Sequence, residues 1–263
     1  FEDETIFSIS VVGGGPTGVE MAGAFAELVR GPLRNDQAHA AAHIRINLIE
    51  AGPRILPMFS EKLSERAKKD LEKLGVTVHL NTAVKEIRPR KIEIKSGESI
   101  PSEITVWAAG VKGEPTGAKL NLPLINTRID VDKTLQVKHY PHIFAIGDIA
   151  GFMGENGRLL PMVAPVAMQQ GRHVARQIQR IAEQQELLPF KYIDKGSMAT
   201  IGRHKAIVEV KRLRMVGIPA WYAWLWLHLF YLLGGRNKIG TMADWTWNYL
   251  TFDRGNRHIM DAH

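Results

Sequence analysis

Three glycines at positions 13, 15 and 18 have a spacing that suits one task, seating a phosphate anion on main-chain N–H groups. Gly13 permits the tight turn, Gly15 lets the backbone approach a pyrophosphate, and Gly18 lets a helix pack close to a strand. Alone the pattern is weak, but here it follows Ile6–Val12, a short apolar run rich in β-branched residues, and precedes Val19–Arg30, with Ala and Leu at helical spacing. Strand, glycine turn and helix in that order are the context of a dinucleotide site.

Glu50 ends a second strand pattern, Ile44–Ile49, where a carboxylate can bond both ribose hydroxyls of NADH and repel the 2′-phosphate of NADPH. A surface carboxylate capping a strand is the alternative, and nearby Arg54 is a candidate acceptor for that phosphate. The interval from Gly18 exceeds the usual spacing of about 20 residues; Gly31–His43, which reads as an irregular polar stretch, accounts for the excess. Further along, Gly147-Asp148 closes the apolar run Ile143–Ile146. An Asp there lies where α/β sheets bind ligands, or else caps the next helix. No histidine pair has a metal-ligand spacing such as His-Glu-x-x-His.

The elements that position these residues read as follows. A helix is expected over Ser60–Leu74, with Ser60 as N-cap, Leu63, Ala67, Leu71 and Leu74 on one face, and Gly75 ending it. Strands follow at Val76–Leu80, around Ile92–Ile94 and at Ile104–Ala109. The result is βαβαβ with a small antiparallel addition, a Rossmann-type NADH-binding domain over residues 1–115. Residues 116–140 read as loops and short strands, His142–Ile146 as a buried strand, Ala164–Glu183 as a helix, and Phe190–Val210 as strands turning at Gly202. The fold class is therefore α/β, with a second segment over 116–210 and a third over 211–263.

That third segment has its own chemistry. The 263 residues carry a net charge of +7, and residues 203–263 hold nine Lys/Arg against four Asp/Glu. Five of the six tryptophans (Trp221, Trp224, Trp226, Trp245, Trp247) lie there, beside 21 residues without formal charge, Met215–Gly235. Basic flanks beside an aromatic run favour an anionic lipid surface over nucleic acid. Pro219, His228 and tryptophans spread along the run argue for a helix lying in the membrane plane, with Asp244–Phe252 as a second such segment. The alternatives are a buried core helix or an oligomer interface, which would make a homodimer; His228 reads as packed or interfacial.

The absence of cysteine excludes structural disulfides and thiol catalysis by residues of this chain. Starting at Phe1 without methionine or signal peptide, and entering a strand pattern at once, the chain reads as a fragment or processed product.

Three segments, Val11-Val12-Gly13-Gly14-Gly15-Pro16-Thr17-Gly18-Val19-Glu20, Trp107-Ala108-Ala109-Gly110-Val111 and Phe144-Ala145-Ile146-Gly147-Asp148, resemble the two-dinucleotide-binding flavoproteins. The stretch Phe190–Arg203 narrows the resemblance to type II NADH dehydrogenases, single-subunit NADH:quinone oxidoreductases, over essentially the whole chain. The resemblance implies that residues 116–210 are the C-terminal part of a FAD-binding domain, whose own fingerprint would lie upstream of Phe1. It implies that Asp148, after Gly147, accepts a hydrogen bond from the FAD ribityl chain. Ala109-Gly110 would lie against the nucleotide and Glu20 near the nicotinamide end. The helix start Ala164–Gly171 resembles the quinone-site motif, with Gln169 and Gln170 facing flavin and quinone and Lys195 approaching the same region; Pro165 stands where the motif has its first glutamine. The implied activity passes hydride from NADH to FAD and electrons on to a membrane quinone, in a monotopic protein on the inner face of a cytoplasmic membrane. The rival readings are a flavin reductase with a soluble acceptor and a non-enzymatic NADH-binding protein at a membrane surface.

Overall fold

The computed structural model describes residues 6–232 and 234–251. The first five residues, Leu233 and residues 252–263, including Phe252 of the second surface segment, lie outside the described residues. The chain forms two compact units, Phe1–Ala109 with Gly196–His263, and Gly110–Lys195.

In the first unit β1 (Phe7–Val12) leads into α1 (Pro16–Leu28). A π-helical turn (Val29–Leu33) and two short helices, α2 (Arg34–Asp36) and α3 (Ala38–Ala42), bring the chain to β2 (Ile44–Ile49). The stretch Gly31–His43, expected to be irregular, is thus largely helical. Pro32 lies inside it; a proline cannot donate the helical hydrogen bond, so α1 widens and breaks there instead of running on.

α4 (Glu61–Lys73) and β3 (Val76–His79) follow, then β4 (Val84–Arg88), β5 (Lys91–Ile94), β6 (Ser99–Pro101) and β7 (Ile104–Trp107). The main sheet is parallel in the order β3-β2-β1-β7, and β4-β5-β6 form a small antiparallel sheet. On one face Val11, Ile46 and Leu48 pack against Val19 and Ala22 of α1 and Leu63, Ala67 and Leu71 of α4. On the other, Val12 and Ile49 meet Ile92 and Ile94 of the small sheet. Both faces of the sheet are covered, so the polar residues interleaved with the apolar ones, Ser8 and Ser10 of β1 and Asn47 of β2, are buried too.

The second unit contains α5 (Thr116–Lys119), β8 (Leu124–Ile125), β9 (Arg128–Asp130), β10 (Gln136–Val137), β11 (Tyr140–Phe144), β12 (Ala150–Gly151) and the long α6 (Ala164–Ala182). Its core gathers Ile129, Leu135, Val137, Ala145, Phe152, Val174 and Phe190. β11 departs from the buried parallel strand expected at His142–Ile146. It pairs antiparallel with β10, starts at Tyr140, and is largely exposed. Pro141 within it has no N–H for a ladder, which confines such a strand to an edge.

The chain then returns to the first unit through β13 (Ser197–Gly202), β14 (Lys205–Val210) and β15 (Leu213–Val216), an antiparallel sheet, followed by α7 (Ile218–Tyr231) and α8 (Gly235–Thr251). Composition groups residues up to 210 with the middle segment, but Ala199, Ile201 and Ile207 share the core of Val19 and Ala22. Two features of α1 dock β13. Glu20 accepts hydrogen bonds from the Thr200 N–H and hydroxyl, both at 3.3 Å, and Glu27 accepts the Arg203 N–H. Between them Gly23 has no side chain, and a Cβ there would lie 1.9 Å from the Ile201 carbonyl oxygen. Gly23→Ala is therefore expected to cost about 2 kcal/mol, despite alanine's better helix propensity, and to lower the melting temperature by about 4–8 °C in a thermal unfolding scan.

Candidate functional site

The first unit brings together Gly13, Gly15, Gly18, Glu50 and Ala109. Gly13 has φ +113, and a Cβ on it would lie 2.8 Å from the Ala109 backbone. A Cβ on Gly18 would lie 1.8 Å from the Gly13 carbonyl oxygen, so only glycine allows α1 to start so close to β1. Gly15 is different: a Cβ there would meet nothing within 4 Å. It is the open side of the turn, at the N-cap of α1, where no side-chain cap is present among the described residues. Free N–H groups and the helix dipole make this an anion site.

Glu50 faces the same turn. One carboxylate oxygen accepts the Gly14 N–H at 2.5 Å and the other the Gly52 N–H at 2.6 Å. Each oxygen keeps a lone pair for a further donor such as a ribose hydroxyl. Arg54 turns its guanidinium to the carbonyls of Pro57 (3.0 Å) and Phe59 (3.1 Å), so its donors serve the loop after β2. Trp107 donates its indole N–H to the Ala109 carbonyl at 2.6 Å, fixing the end of β7 beside Gly13. Glu20 lies one helical turn on, lining a cleft of about 650 Å³ with Thr200, Trp221, Trp224, Leu229 and Trp245.

In the second unit Asp148 is exposed, in a 3-10 turn (Gly147–Ile149) where Gly147 has φ +70. Gln170, 1% exposed, accepts the Gly147 N–H at 2.6 Å and so holds that turn from behind. Gln169 is half-buried, and its amide exchanges two 3.0 Å hydrogen bonds with the Ile193 backbone. On the same helix His173 meets the Leu188 carbonyl at 3.0 Å and Gln177 accepts the Leu188 N–H at 2.8 Å. Polar residues four apart on one face of α6 thus clamp the segment before Lys195; their spacing gives the shared face but not the partner. Burial lowers the His173 pKa, and the hydrogen bond to the Leu188 carbonyl opposes that shift. Lys195 itself is exposed at the end of the unit.

Sequence reading passed over Arg128. It is 7% exposed, donates to the Leu160 carbonyl at 2.9 Å, and has its pKa pulled down by burial against the opposing charge of Asp148. Two features of this unit fit a flavin nucleotide: the exposed Asp148 carboxylate on a braced turn, and the 19-residue α6, whose first turn at Ala164 has no side-chain cap among the described residues.

A parallel sheet whose first crossover opens on an uncapped, glycine-led helix, beside a carboxylate fixed at the next strand's end, defines a Rossmann-type dinucleotide-binding domain. Known proteins carry the assignment further. The pattern of the pyridine nucleotide-disulphide oxidoreductases matches residues 3–171, and that of the NDH2 C-terminal domain residues 195–254. The chain belongs to the pyridine nucleotide-disulphide oxidoreductase family.

Over 97% of its length it is 36% identical to the type II NADH:quinone oxidoreductase Ndh of Mycobacterium tuberculosis, and over 98% it is 36% identical to NdhA of the same organism. It is 33% identical over 93% of its length to a mitochondrial internal alternative NAD(P)H-ubiquinone oxidoreductase A1 of Solanum tuberosum. The chain spans only 57%, 57% and 52% of these relatives. Its fold matches NDH2 from Plasmodium falciparum in complex with NADH, with a TM-score of 0.86 over 94% of this chain and 66% of that one, at 19% identity. These matches point to the type II relatives that the glycine turn and the Phe190–Arg203 segment suggest.

Proposed function

We propose that this chain carries the NADH-binding domain and the C-terminal part of the FAD-binding domain of a type II NADH:quinone oxidoreductase. The observation that carries the reading is the geometry at Gly15 and Glu50: an open anion seat on α1, and a carboxylate held beside it by two backbone N–H groups. The pyrophosphate of NADH sits on the first turn of α1, and Glu50 takes the adenosine ribose. Asp148 and the start of α6 at Ala164 hold the flavin nucleotide, with Gln170 keeping Asp148 in place. When bound, FAD supplies the two-electron chemistry that links a hydride donor to a quinone. Glu20, Gln169, Gln170 and Lys195 are the residues we assign to the flavin and quinone side.

The C-terminal helices seat the protein on a membrane. Among the described residues no helix is long and apolar enough to cross one. α7 is apolar around its whole circumference, yet within it only Ala220 and Leu229 are buried. A helix of that kind needs a non-aqueous neighbour. Trp226 (65% exposed) and Phe230 (74%) stand out from it, with Ile239 and Trp247 on α8. Lys238 lies 5.5 Å from the Phe230 ring centre, and Arg236, Lys211 and Arg212 add positive charge for anionic headgroups. His228 is exposed and stacks on Trp224 at 3.8 Å. The inner face of a cytoplasmic membrane is the location this arrangement suits.

The test uses the gene product with any residues encoded upstream of Phe1. Anaerobic flavin absorbance should bleach on NADH addition and recover with a short-chain quinone. Bleaching without recovery would point to another acceptor, and no flavin at all would sink the enzyme assignment. For the membrane, Trp226→Ser with Phe230→Ser should weaken partitioning onto anionic vesicles by about tenfold or more, from the lost burial of two large side chains. Affinity for NADH should be unchanged.

A further inference from the structure

Glu209 lies on β14, outside the nucleotide site, and makes a tertiary contact with the loop that forms it. One carboxylate oxygen accepts the backbone N–H of Ser60 at 2.7 Å, across 149 residues of sequence, and the other accepts from the Arg214 guanidinium at 2.6 Å. The side chain is 16% exposed. Ser60 is the N-cap of α4 but makes no side-chain cap bond of its own, so an anion from another strand occupies the helix terminus.

Ser60 closes the ten-residue connection that begins after Glu50, and that connection is bonded throughout. Its Leu56 N–H donates to the Gly14 carbonyl at 2.7 Å, and the Ser64 hydroxyl donates back to Leu56 at 3.1 Å. Arg54 bridges the carbonyls of Pro57 and Phe59. Ile55, Leu56 and Phe59 are fully buried. Gly14 is also the residue whose N–H the Glu50 carboxylate holds. From Glu209 to the glycine turn there are thus a charged hydrogen bond, a short braced loop and a second hydrogen bond.

We propose that Glu209 is a positioning residue for the dinucleotide site, acting through the Ser60 N–H on the loop that sets Gly14 and Glu50. The assignment rests on the dinucleotide reading above and adds a residue to it. Because the loop borders the adenosine-ribose end, Glu209 should govern affinity for NADH and for ADP-ribose alike. It should leave the KM for quinone and kcat unchanged. Arg214 ties the same carboxylate to β15, which leads into α7, so this side chain links the C-terminal region to the loop of the nucleotide site.

The test is a double-mutant cycle on the full-length holoenzyme, with dissociation constants for NADH and ADP-ribose. Glu209→Ala removes the acceptor. Ser60→Pro removes the donor, and Ser60 has φ −59, a value proline adopts without strain. Each variant should raise both constants by about five- to tenfold, the scale of one charge-assisted hydrogen bond, and the double variant no further than either single one. Glu209→Gln keeps an acceptor oxygen for Ser60 and should recover most of the affinity; it also serves if Glu209→Ala does not fold. Constants within twofold of the parent in Glu209→Ala and Ser60→Pro, whatever happens to the melting temperature, would overturn the assignment, as would effects that multiply in the double variant. An unsubstituted protein that binds neither NADH nor ADP-ribose would overturn the dinucleotide reading and this one with it.

Discussion

Gly15→Val is expected to leave the fold almost intact and to weaken NADH binding by about 100-fold or more. The argument rests on what surrounds that one position. Gly15 sits at the N-cap of α1 with φ −72 and ψ −179, an extended conformation that a β-branched residue adopts readily. Nothing lies within 4 Å of where its Cβ would go, so the folded protein has room for a side chain. The stability cost is confined to a less favourable cap, below about 1 kcal/mol, or a few degrees in melting temperature. The space the valine takes is the space a pyrophosphate needs to reach the first-turn N–H groups. Losing those charge-assisted hydrogen bonds costs about 3 kcal/mol, which is the 100-fold. Gly18→Ala makes the contrast, since its Cβ would meet the Gly13 carbonyl oxygen at 1.8 Å and folding itself should suffer. Calorimetric titration with NADH beside a thermal scan separates the two. A Gly15→Val protein that binds NADH within threefold of the parent would show that the nucleotide does not approach this turn.

Residues whose role depends on near neighbours in sequence were legible; those whose role depends on distant chain were not. The glycine turn, β1, α1 and β2 follow from local composition and turn chemistry, because β-branched residues dominate both strands and a glycine turn separates β1 from a helix pattern. The same logic misplaced β11, where Ile143 and Ile146 look like core and are exposed, with Pro141 holding the strand at an edge. It missed the helical course of Gly31–His43, because Pro32 and polar residues read as a loop, although a widened helical turn accommodates them. Ser60 is the N-cap of α4 as its sequence suggests, but the carboxylate that accepts its N–H arrives from Glu209, and no local pattern announces a partner 149 residues away. The glutamines of α6 show the same limit. Their helical face was readable, but whether they point at a ligand or clamp Leu188 and Ile193 depends on where the chain returns.

Glu50→Gln separates two jobs that one carboxylate holds at once. In the structure both oxygens accept main-chain N–H groups, from Gly14 and Gly52, so an amide in their place turns one acceptor into a donor facing a donor. The turn loses a charge-assisted bond on the side that the ribose must meet. A loss of about 1.5–3 kcal/mol follows, or roughly 10- to 100-fold in NADH affinity. For NADPH the same substitution also removes a negative charge facing the 2′-phosphate, which offsets part of that loss. The preference for NADH over NADPH should therefore narrow by about tenfold, through NADH binding less well and not through NADPH binding tightly. The Nη1 and Nη2 atoms of Arg54 each donate to a loop carbonyl, of Phe59 and of Pro57. Dissociation constants for both nucleotides, measured by fluorescence on the same preparations, decide the matter. Equal losses for the two would mean that Glu50 only braces the glycine turn and that discrimination against the 2′-phosphate lies elsewhere.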